Sequence, residues 1–238
     1  MDFYTQISEY YKDIFPLNKA QVTFVKSYLD KGKTTKSMLD IGCSTGDLSV
    51  ELCDYFDVIA AIDTNEEMLE IARANNNKID FKNISMLDVD TQFPSNTFDF
   101  VLCFGNTIVH LQNNNEIELL FQKVKTILKP NGKFLFQIIN YDNVLDNNLK
   151  ELPTIENNRI KFERYYNIDQ NNMIDFSTTL TIKTTGEKII SSIKLFPARK
   201  QQIEQSLLKA GFKNIISFSS FNKNEYSKNS LPLVFECY

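Results

Sequence analysis

Basic charge is scarce in this 238-residue chain: 26 lysines and arginines stand against 30 aspartates and glutamates, for a net charge of -4. Such a balance gives no basic footprint able by itself to hold a polyanion, which makes nucleic acid and anionic membranes poor default partners. No apolar run approaches the roughly 20 residues needed to span a bilayer. The segment Met1-Asp2-Phe3-Tyr4-Thr5-Gln6 lacks the charged-then-apolar order of a secretory signal, so the expected location is cytoplasmic. The four cysteines, Cys43, Cys53, Cys103 and Cys237, include no Cys-x-x-Cys pair. They suggest neither a zinc site nor a disulfide framework, and they read as reduced, mostly buried thiols with no metal expected. Histidine is rarer still, His110 being the only one. What is present, 42% hydrophobic and 24% charged residues, suits one large globular domain or one domain with a sizeable insertion. The sequence leaves the oligomeric state open.

From about residue 18 to 140 helix-like and strand-like segments alternate, as in a parallel sheet with crossover helices. Strands are expected at 37–41, 58–63, 80–86, 98–104 and 133–139, and helices at 18–31, 47–56, 65–76 and 115–128. Lys129-Pro130-Asn131-Gly132 stops the last helix and turns the chain. After residue 158 the period changes: Ile174, Phe176, Thr178, Leu180 and Ile182 alternate with polar neighbours. With the similar runs Arg159–Tyr166 and Lys188–Phe196 they predict an antiparallel insertion, turning near Asp169–Asn172 and Thr184–Gly186. A helix at 199–210 and strands near 214–219 and 232–237 then complete the core. The asparagine clusters at 75–77, 113–115, 147–148, 157–158 and 171–172 all fall at expected loops. The resulting division is an N-terminal helical segment or lid (1–35), a core (36–145), the insertion (146–198) and a C-terminal completion of the core sheet (199–238).

The densest signal is Met38-Leu39-Asp40-Ile41-Gly42-Cys43-Ser44-Thr45-Gly46-Asp47, a strand that passes through an acid into a glycine-punctuated turn and a helix. A dinucleotide loop needs small residues at the three positions of Gly-x-Gly-x-x-Gly so that backbone amides can approach a pyrophosphate. Counted from Gly42, those positions hold Ser44 and Asp47, and Asp47 sets a negative charge where phosphates would meet the helix N-terminus. A nicotinamide-dependent oxidoreductase is therefore the weaker reading. A phosphate-free ligand with a cationic amino group reverses the logic, with Asp40 as the anion and Gly42 and Gly46 permitting close backbone approach. About twenty residues on, Ile59-Ala60-Ala61-Ile62-Asp63 ends a second strand in a carboxylate placed to accept both hydroxyls of a ribose. Asp88, in Met86-Leu87-Asp88-Val89, is a third acid, either an acceptor for an adenine amino group or a helix cap.

Leu39–Gly46, Ala60–Asp63, Met86–Asp88 and Phe98–Leu111 together resemble the successive motifs of class I S-adenosylmethionine-dependent methyltransferases. The resemblance implies an α/β, Rossmann-like, seven-stranded sheet of order 3-2-1-4-5-7-6 with an antiparallel last strand. It implies S-adenosylmethionine as cofactor and S-adenosylhomocysteine as product. It assigns the methionine portion to Asp40, Gly42 and Gly46, the ribose to Asp63, and the adenine region to Thr64, Met68, Leu87 and Asp88. Tyr11, Cys43, Ser44, Phe104, Gly105 and Asn106 join the cofactor site in the same picture. Ser44 stands where the family has its middle glycine.

Ligands of such sheets bind at the carboxyl ends of the strands, which places the methyl acceptor near Cys103-Phe104-Gly105-Asn106-Thr107-Ile108-Val109-His110-Leu111. His110 reads as a general base or substrate ligand, or as a histidine satisfied by neighbouring backbone. Asn106 either orients an acceptor or caps the turn. This loop and Ile139-Asn140-Tyr141-Asp142 resemble segments of glycine and sarcosine N-methyltransferases, which implies a small-molecule acceptor methylated at nitrogen or oxygen. Those enzymes carry a carboxylate-gripping arginine where this chain has Ile139, which counts against glycine itself. By the same resemblance Asn140 and Tyr141 line the acceptor pocket, Tyr141 as a candidate catalytic group; a capped helix start is the plain alternative. No Asn-Pro-Pro-Tyr and no Pro-Cys follows the fourth strand, arguing against DNA-base targets. Tyr4–Phe15 is amphipathic and is expected to fold over the cofactor as a lid or to pack on the domain. The insertion would cap the substrate, with Arg164 either binding acceptor or standing as an exposed strand charge. A non-catalytic S-adenosylmethionine-binding protein is the remaining alternative; it would keep Asp40 and Asp63 without needing His110 or Tyr141.

Overall fold

The computed structural model describes residues 2–29, 36–76, 78–169 and 173–238. Three short helices come first, α1 (Phe3–Ile7), α2 (Tyr11–Ile14) and α3 (Lys19–Lys26). The crossover units follow: β1 (Ser37–Ile41), α4 (Asp47–Glu51), β2 (Val58–Asp63), α5 (Glu66–Asn75), β3 (Asp80–Asn83), α6 (Val89–Gln92), β4 (Phe98–Cys103), α7 (Asn114–Ile127) and β5 (Leu128–Ile139). After α8 (Tyr141–Asp146) come β6 (Glu151–Glu156), β7 (Ile160–Ile168), β8 (Ile174–Ile182) and β9 (Lys188–Leu195). The chain ends with α9 (Lys200–Lys209), β10 (Ile215–Phe218) and β11 (Pro232–Cys237). The large sheet has the order β3-β2-β1-β4-β5-β11-β10, with β11 antiparallel to both neighbours, as expected. The second sheet, β6-β7-β8-β9, is antiparallel throughout.

The central strands are apolar on both faces because each face is covered. Leu39, Ile41, Ala60, Ile62, Val101 and Cys103 turn into one layer, and their neighbours Met38, Ile59, Ala61, Phe100 and Leu102 into the other. On the first face α7 lays down Ile117, Leu120, Phe121, Val124 and Ile127, a stripe at helical spacing. The Asn113 carboxamide oxygen caps that helix by accepting from the amides of Asn115 and Glu116 at 3.0 and 3.1 Å. Beneath it Phe136 stacks on Phe235, ring centroids 4.7 Å apart. Each such phenylalanine contributes about 2–3 kcal/mol through burial.

Several boundaries differ from expectation, each for a local reason. The third strand stops at Asn83, since the Ser85 hydroxyl accepts from the Leu87 amide at 3.2 Å and winds Met86–Asp88 into a 3-10 turn. Asp88 is thereby exposed in a turn instead of ending a strand. Helix 47–56 ends at Glu51 and continues as a 3-10 turn, Cys53–Tyr55. The fifth strand starts at Leu128, and the Pro-Asn-Gly turn survives inside it as a bulge: Phe98 pairs with Leu128, yet Phe100 pairs with Lys133. The cap has four strands, not three. The unexpected β6 lies at the edge, carries Pro153 and shifts register between Leu152 and Ile155, so it shows no clean alternation. The helix read at 18–31 covers Lys19–Lys26; its last two residues, the 1–35 boundary and the 171–172 asparagines lie outside the described residues.

Two features position the site. Strand order reverses between β1 and β4, opening a crevice at their carboxyl ends, where open α/β sheets bind ligands. Over that crevice, Phe3, Ile7 and Ile14 of the N-terminal segment share a core with Ile160, Phe162 and Leu180 of the cap. The segment thus shares its apolar core with the cap, while Lys12 and Thr5 tie it to Asp47 of α4 and Glu67 of α5.

Candidate functional site

The loop after β1 is held by contacts that leave little room for other residues. A Cβ on Gly42 would lie 2.4 Å from the Thr107 methyl, and its φ of +73° is left-handed. The Gly42 amide donates to Ile62 at 2.8 Å, tying the turn to β2. Gly46 serves packing instead of lining: a Cβ there would meet the Phe81 ring at 2.7 Å. Between them Ser44 adopts φ +52°, so a serine fills the family's glycine position in the backbone conformation a glycine would use.

Two carboxylates face this loop. Asp40 is 4% exposed and accepts from the Ser49 hydroxyl at 2.6 Å. Burial raises its pKa to about 6, the Ser49 bond opposing the shift. Asp63 accepts from the Ser44 amide at 2.8 Å and from the Asn65 amide at 3.0 Å, one bond to each oxygen. Burial raises its pKa as well, against these backbone donors. Asp47, the acid that disfavours phosphate, accepts from the Thr45 hydroxyl at 2.7 Å and pairs with Lys12 at 2.7 Å. Its charge is met by the N-terminal segment and not reserved for a ligand.

Two cavities open here, of about 430 and about 630 Å³. They share the walls Tyr4, Tyr11, Gly42, Ser44, Phe104, Gly105 and His110. The larger is lined by Asp63, Thr64, Met68, Ile84 and Met86, with Asp2, Glu66 and Glu67, and by no lysine or arginine among the described residues. That is a chamber for an uncharged nucleoside: a carboxylate for two hydroxyls, apolar walls for a flat base, and no cation for phosphate. The smaller runs from Asp40, Cys43 and Asp47 past Asn106 to the cap residues Leu152, Arg164, Tyr166, Phe176 and Leu195. The residues present therefore fit S-adenosylmethionine and do not fit a dinucleotide. Leu87 and Asp88 line neither cavity; Ile84 and Met86 form the wall there.

The N-terminal segment closes over both chambers. The Tyr4 hydroxyl lies 2.8 Å from His110 Nε2 at their junction, Tyr11 hydrogen-bonds Ser44, and the Asn65 side-chain Nδ2 donates to Asp2 at 3.0 Å. Burial lowers the His110 pKa to about 4, so the ring is neutral near pH 7 and a weaker base than an ordinary histidine. It is the anchor of the lid tyrosine.

The other acceptor candidates divide. Asn106 lines the smaller cavity, but its Oδ1 accepts from the Ile139 amide at 2.8 Å and its Nδ2 donates to the Tyr141 hydroxyl at 3.0 Å. It braces the β4 loop against the end of β5. Asn140 and Tyr141 do not line the pocket: both are fully buried. Asn140 donates to the carbonyls of Lys228 and Ser230 at 3.0 and 3.1 Å, and Tyr141 lies behind Tyr166 with its pKa pushed far up by burial. Asp142 pairs with Arg199 at 2.9 Å. The Asn-Tyr-Asp segment is thus a helix start, with Asn140 and Tyr141 facing inward behind the pocket wall. Arg164, by contrast, does line the cavity and is not an exposed strand charge.

Sequence reading missed Tyr4, Ser49, Thr107 and Gln137. Gln137, whose Oε1 accepts from the Gly105 amide at 3.1 Å, had a signal, being the one polar residue in the run Phe134–Ile139. Tyr4 had none, since its partner lies 106 residues away.

Comparison with known proteins agrees with this geometry. Residues 38–132 match the family described as "Methyltransferase domain". Over 206 residues the chain is 25% identical to a glycine/sarcosine N-methyltransferase of Aphanothece halophytica, covering 84% of this chain and 74% of that one. It is 28% identical over 137 residues to a ubiquinone biosynthesis O-methyltransferase of Histophilus somni, covering 55% of this chain and 56% of the relative. In structure it is similar to an S-adenosylmethionine-dependent methyltransferase from Clostridium acetobutylicum, with a TM-score of 0.81 at 15% identity over 99% of this chain and 98% of the other.

Proposed function

Because the chain is a class I S-adenosylmethionine-dependent methyltransferase, we propose that it methylates a nitrogen or oxygen of a small molecule held between the main sheet and the antiparallel cap. The observation that carries this reading is the pair of chambers sharing the walls Gly42, Phe104, Gly105 and His110, one suited to a nucleoside and the other opening under the cap. When bound, S-adenosylmethionine supplies a sulfonium methyl that is displaced in line, so positioning and exclusion of water provide much of the acceleration. Asp40 would hold its cationic amino group and Asp63 its ribose hydroxyls, while Met68, Ile84 and Met86 would wall the base.

The Tyr4–His110 pair covers the junction and keeps water from it. Burial lowers the His110 pKa to about 4 and pushes Tyr4 up, which supports a transfer that uses no base at the junction. The acceptor therefore enters with a free lone pair, and its surplus proton leaves to solvent after transfer. The enclosed acceptor chamber and the acidic walls of its neighbour favour small molecules over nucleic acid. No described helix is long and apolar enough to cross a membrane. The four free cysteines support a reducing, cytoplasmic setting.

Incubation with methyl-labelled S-adenosylmethionine and a small-metabolite extract tests the reading. A labelled N- or O-methyl metabolite is expected. Label found only in protein or nucleic acid, or no binding of S-adenosylhomocysteine by calorimetry, would refute it.

A further inference from the structure

On the inward face of β7, Arg164 alternates with two fully enclosed aromatics, Phe162 and Tyr166 at 0% and 1% exposure. Across the ladder Phe162 faces Leu180, Arg164 faces Thr178 and Tyr166 faces Phe176, so the arginine is the charged residue of an otherwise apolar patch. Arg164 is half-buried there, and a partly buried guanidinium still needs acceptors for its enclosed donors. The structure gives it one, the Pro153 carbonyl, to which a terminal nitrogen donates. The Nε is buried with no partner, and no carboxylate is among the charges acting on the group. The carboxylates on the opposite wall are engaged, Asp40 by Ser49 and Asp47 by Lys12. Burial lowers the Arg164 pKa, with only Tyr166 acting the other way.

Around this unmet donor the cavity wall is apolar, formed by Ile139, Leu152, Phe176 and Leu195. A planar anion with two oxygens matches the guanidinium fork. A single cation balances a single negative charge, whereas a phosphate dianion would leave a surplus facing Asp40 and Asp47. Resting on the methyltransferase reading above, we infer that the acceptor is a carboxylate on an apolar body, its carboxyl group held by Arg164 and its body against the cap. The apolar wall disfavours glycine-sized acceptors, which would leave it uncovered.

The test is ligand-observed NMR and calorimetry on the protein saturated with S-adenosylhomocysteine, comparing phenylacetate with phenylacetamide and 4-methylpentanoate with its amide. Each acid is expected to bind about tenfold or more tighter than its amide, the loss typical of a charge-assisted bond. R164Q should abolish the difference while S-adenosylhomocysteine affinity stays at the wild-type value, and R164K, which keeps the charge without the fork, should restore part of it. Equal binding of acid and amide overturns the inference, as does no binding of either acid. Weakened S-adenosylhomocysteine binding in R164Q also overturns it, since Arg164 would then serve the cofactor's carboxylate. Should R164Q not fold, the acid-against-amide comparison on the wild type still decides. Failure of the wild type to bind S-adenosylhomocysteine is a separate result, which removes the methyltransferase reading itself.

Discussion

Replacing Asp63 with alanine tests the cofactor site most directly. A carboxylate offers about two lone-pair positions on each oxygen. In this structure Oδ2 already accepts from the Ser44 amide at 2.8 Å and Oδ1 from the Asn65 amide at 3.0 Å. The Thr64 amide bears on the same carboxylate, so a vicinal diol would share the remaining positions or replace one of these donors. Hydrogen bonds to a charged acceptor contribute about 1.5–3 kcal/mol each, and water recovers part of the loss, so D63A should lose about 2–4 kcal/mol of cofactor affinity. By the factor of ten per 1.4 kcal/mol, the S-adenosylhomocysteine Kd should rise about 30- to 1000-fold in calorimetry. The same substitution frees the Ser44 loop, and loop collapse alone would weaken binding. A ligand pair separates the two: 5′-methylthioadenosine against its 2′-deoxy counterpart. In the wild type the deoxy compound should bind about 1.5–3 kcal/mol more weakly, and in D63A that gap should close to about 0.5 kcal/mol or less. An unchanged gap in D63A, or an S-adenosylhomocysteine Kd within about threefold of wild type, refutes the assignment.

Asp40 makes a pH prediction whose two signs differ. As its pKa stands near 6 in the fold, against 3.8 ordinarily, the native state binds more protons than the unfolded chain between about pH 4 and 6. Ligand-free stability should fall as pH rises through that window, whereas affinity for a cationic ligand should fall by up to about tenfold per pH unit below 6, and D40N should remove the share of both that Asp40 carries, leaving that of Asp63. For His110, a pKa near 4 leaves the ring neutral across the working range, so pH–rate profiles of wild type and H110Q should share any inflection near 6.5. Loss of such an inflection in H110Q would restore the general-base role. G42A forces a methyl to within 2.4 Å of Thr107 at a left-handed φ, and should destabilise by about 2 kcal/mol or more in denaturant melts; pairing it with T107G should recover part of this.

How much of this was open to sequence reading depended on distance along the chain. The acid-bearing strand ends and the glycine loop were readable because each is local: a short apolar run marks the strand, and a small residue marks a left-handed turn, whereas the sheet order came with the resemblance to the methyltransferase family. Asp40, Gly42 and Asp63 stand where that reading put them. Asp88 did not, because one serine hydroxyl bonding the Leu87 amide converts the end of a strand into an exposed turn. The edge strand β6 escaped notice because Pro153 and a register shift erase its alternation.

The sequence by itself determined which cofactor the crevice can accept, since the charges and small residues that select it lie within a few residues of the carboxyl ends of β1 and β2. The acceptor side was decided only by tertiary structure. Residue type cannot say whether an arginine on an alternating strand faces solvent or the core; that depends on which face of β7 the N-terminal segment covers, and Phe3, Ile7 and Ile14 cover the one carrying Arg164. Packing likewise turned Asn140 and Tyr141 inward to brace a helix start and set Tyr4 against His110. These contacts join segments tens to more than a hundred residues apart, and no local period encodes them.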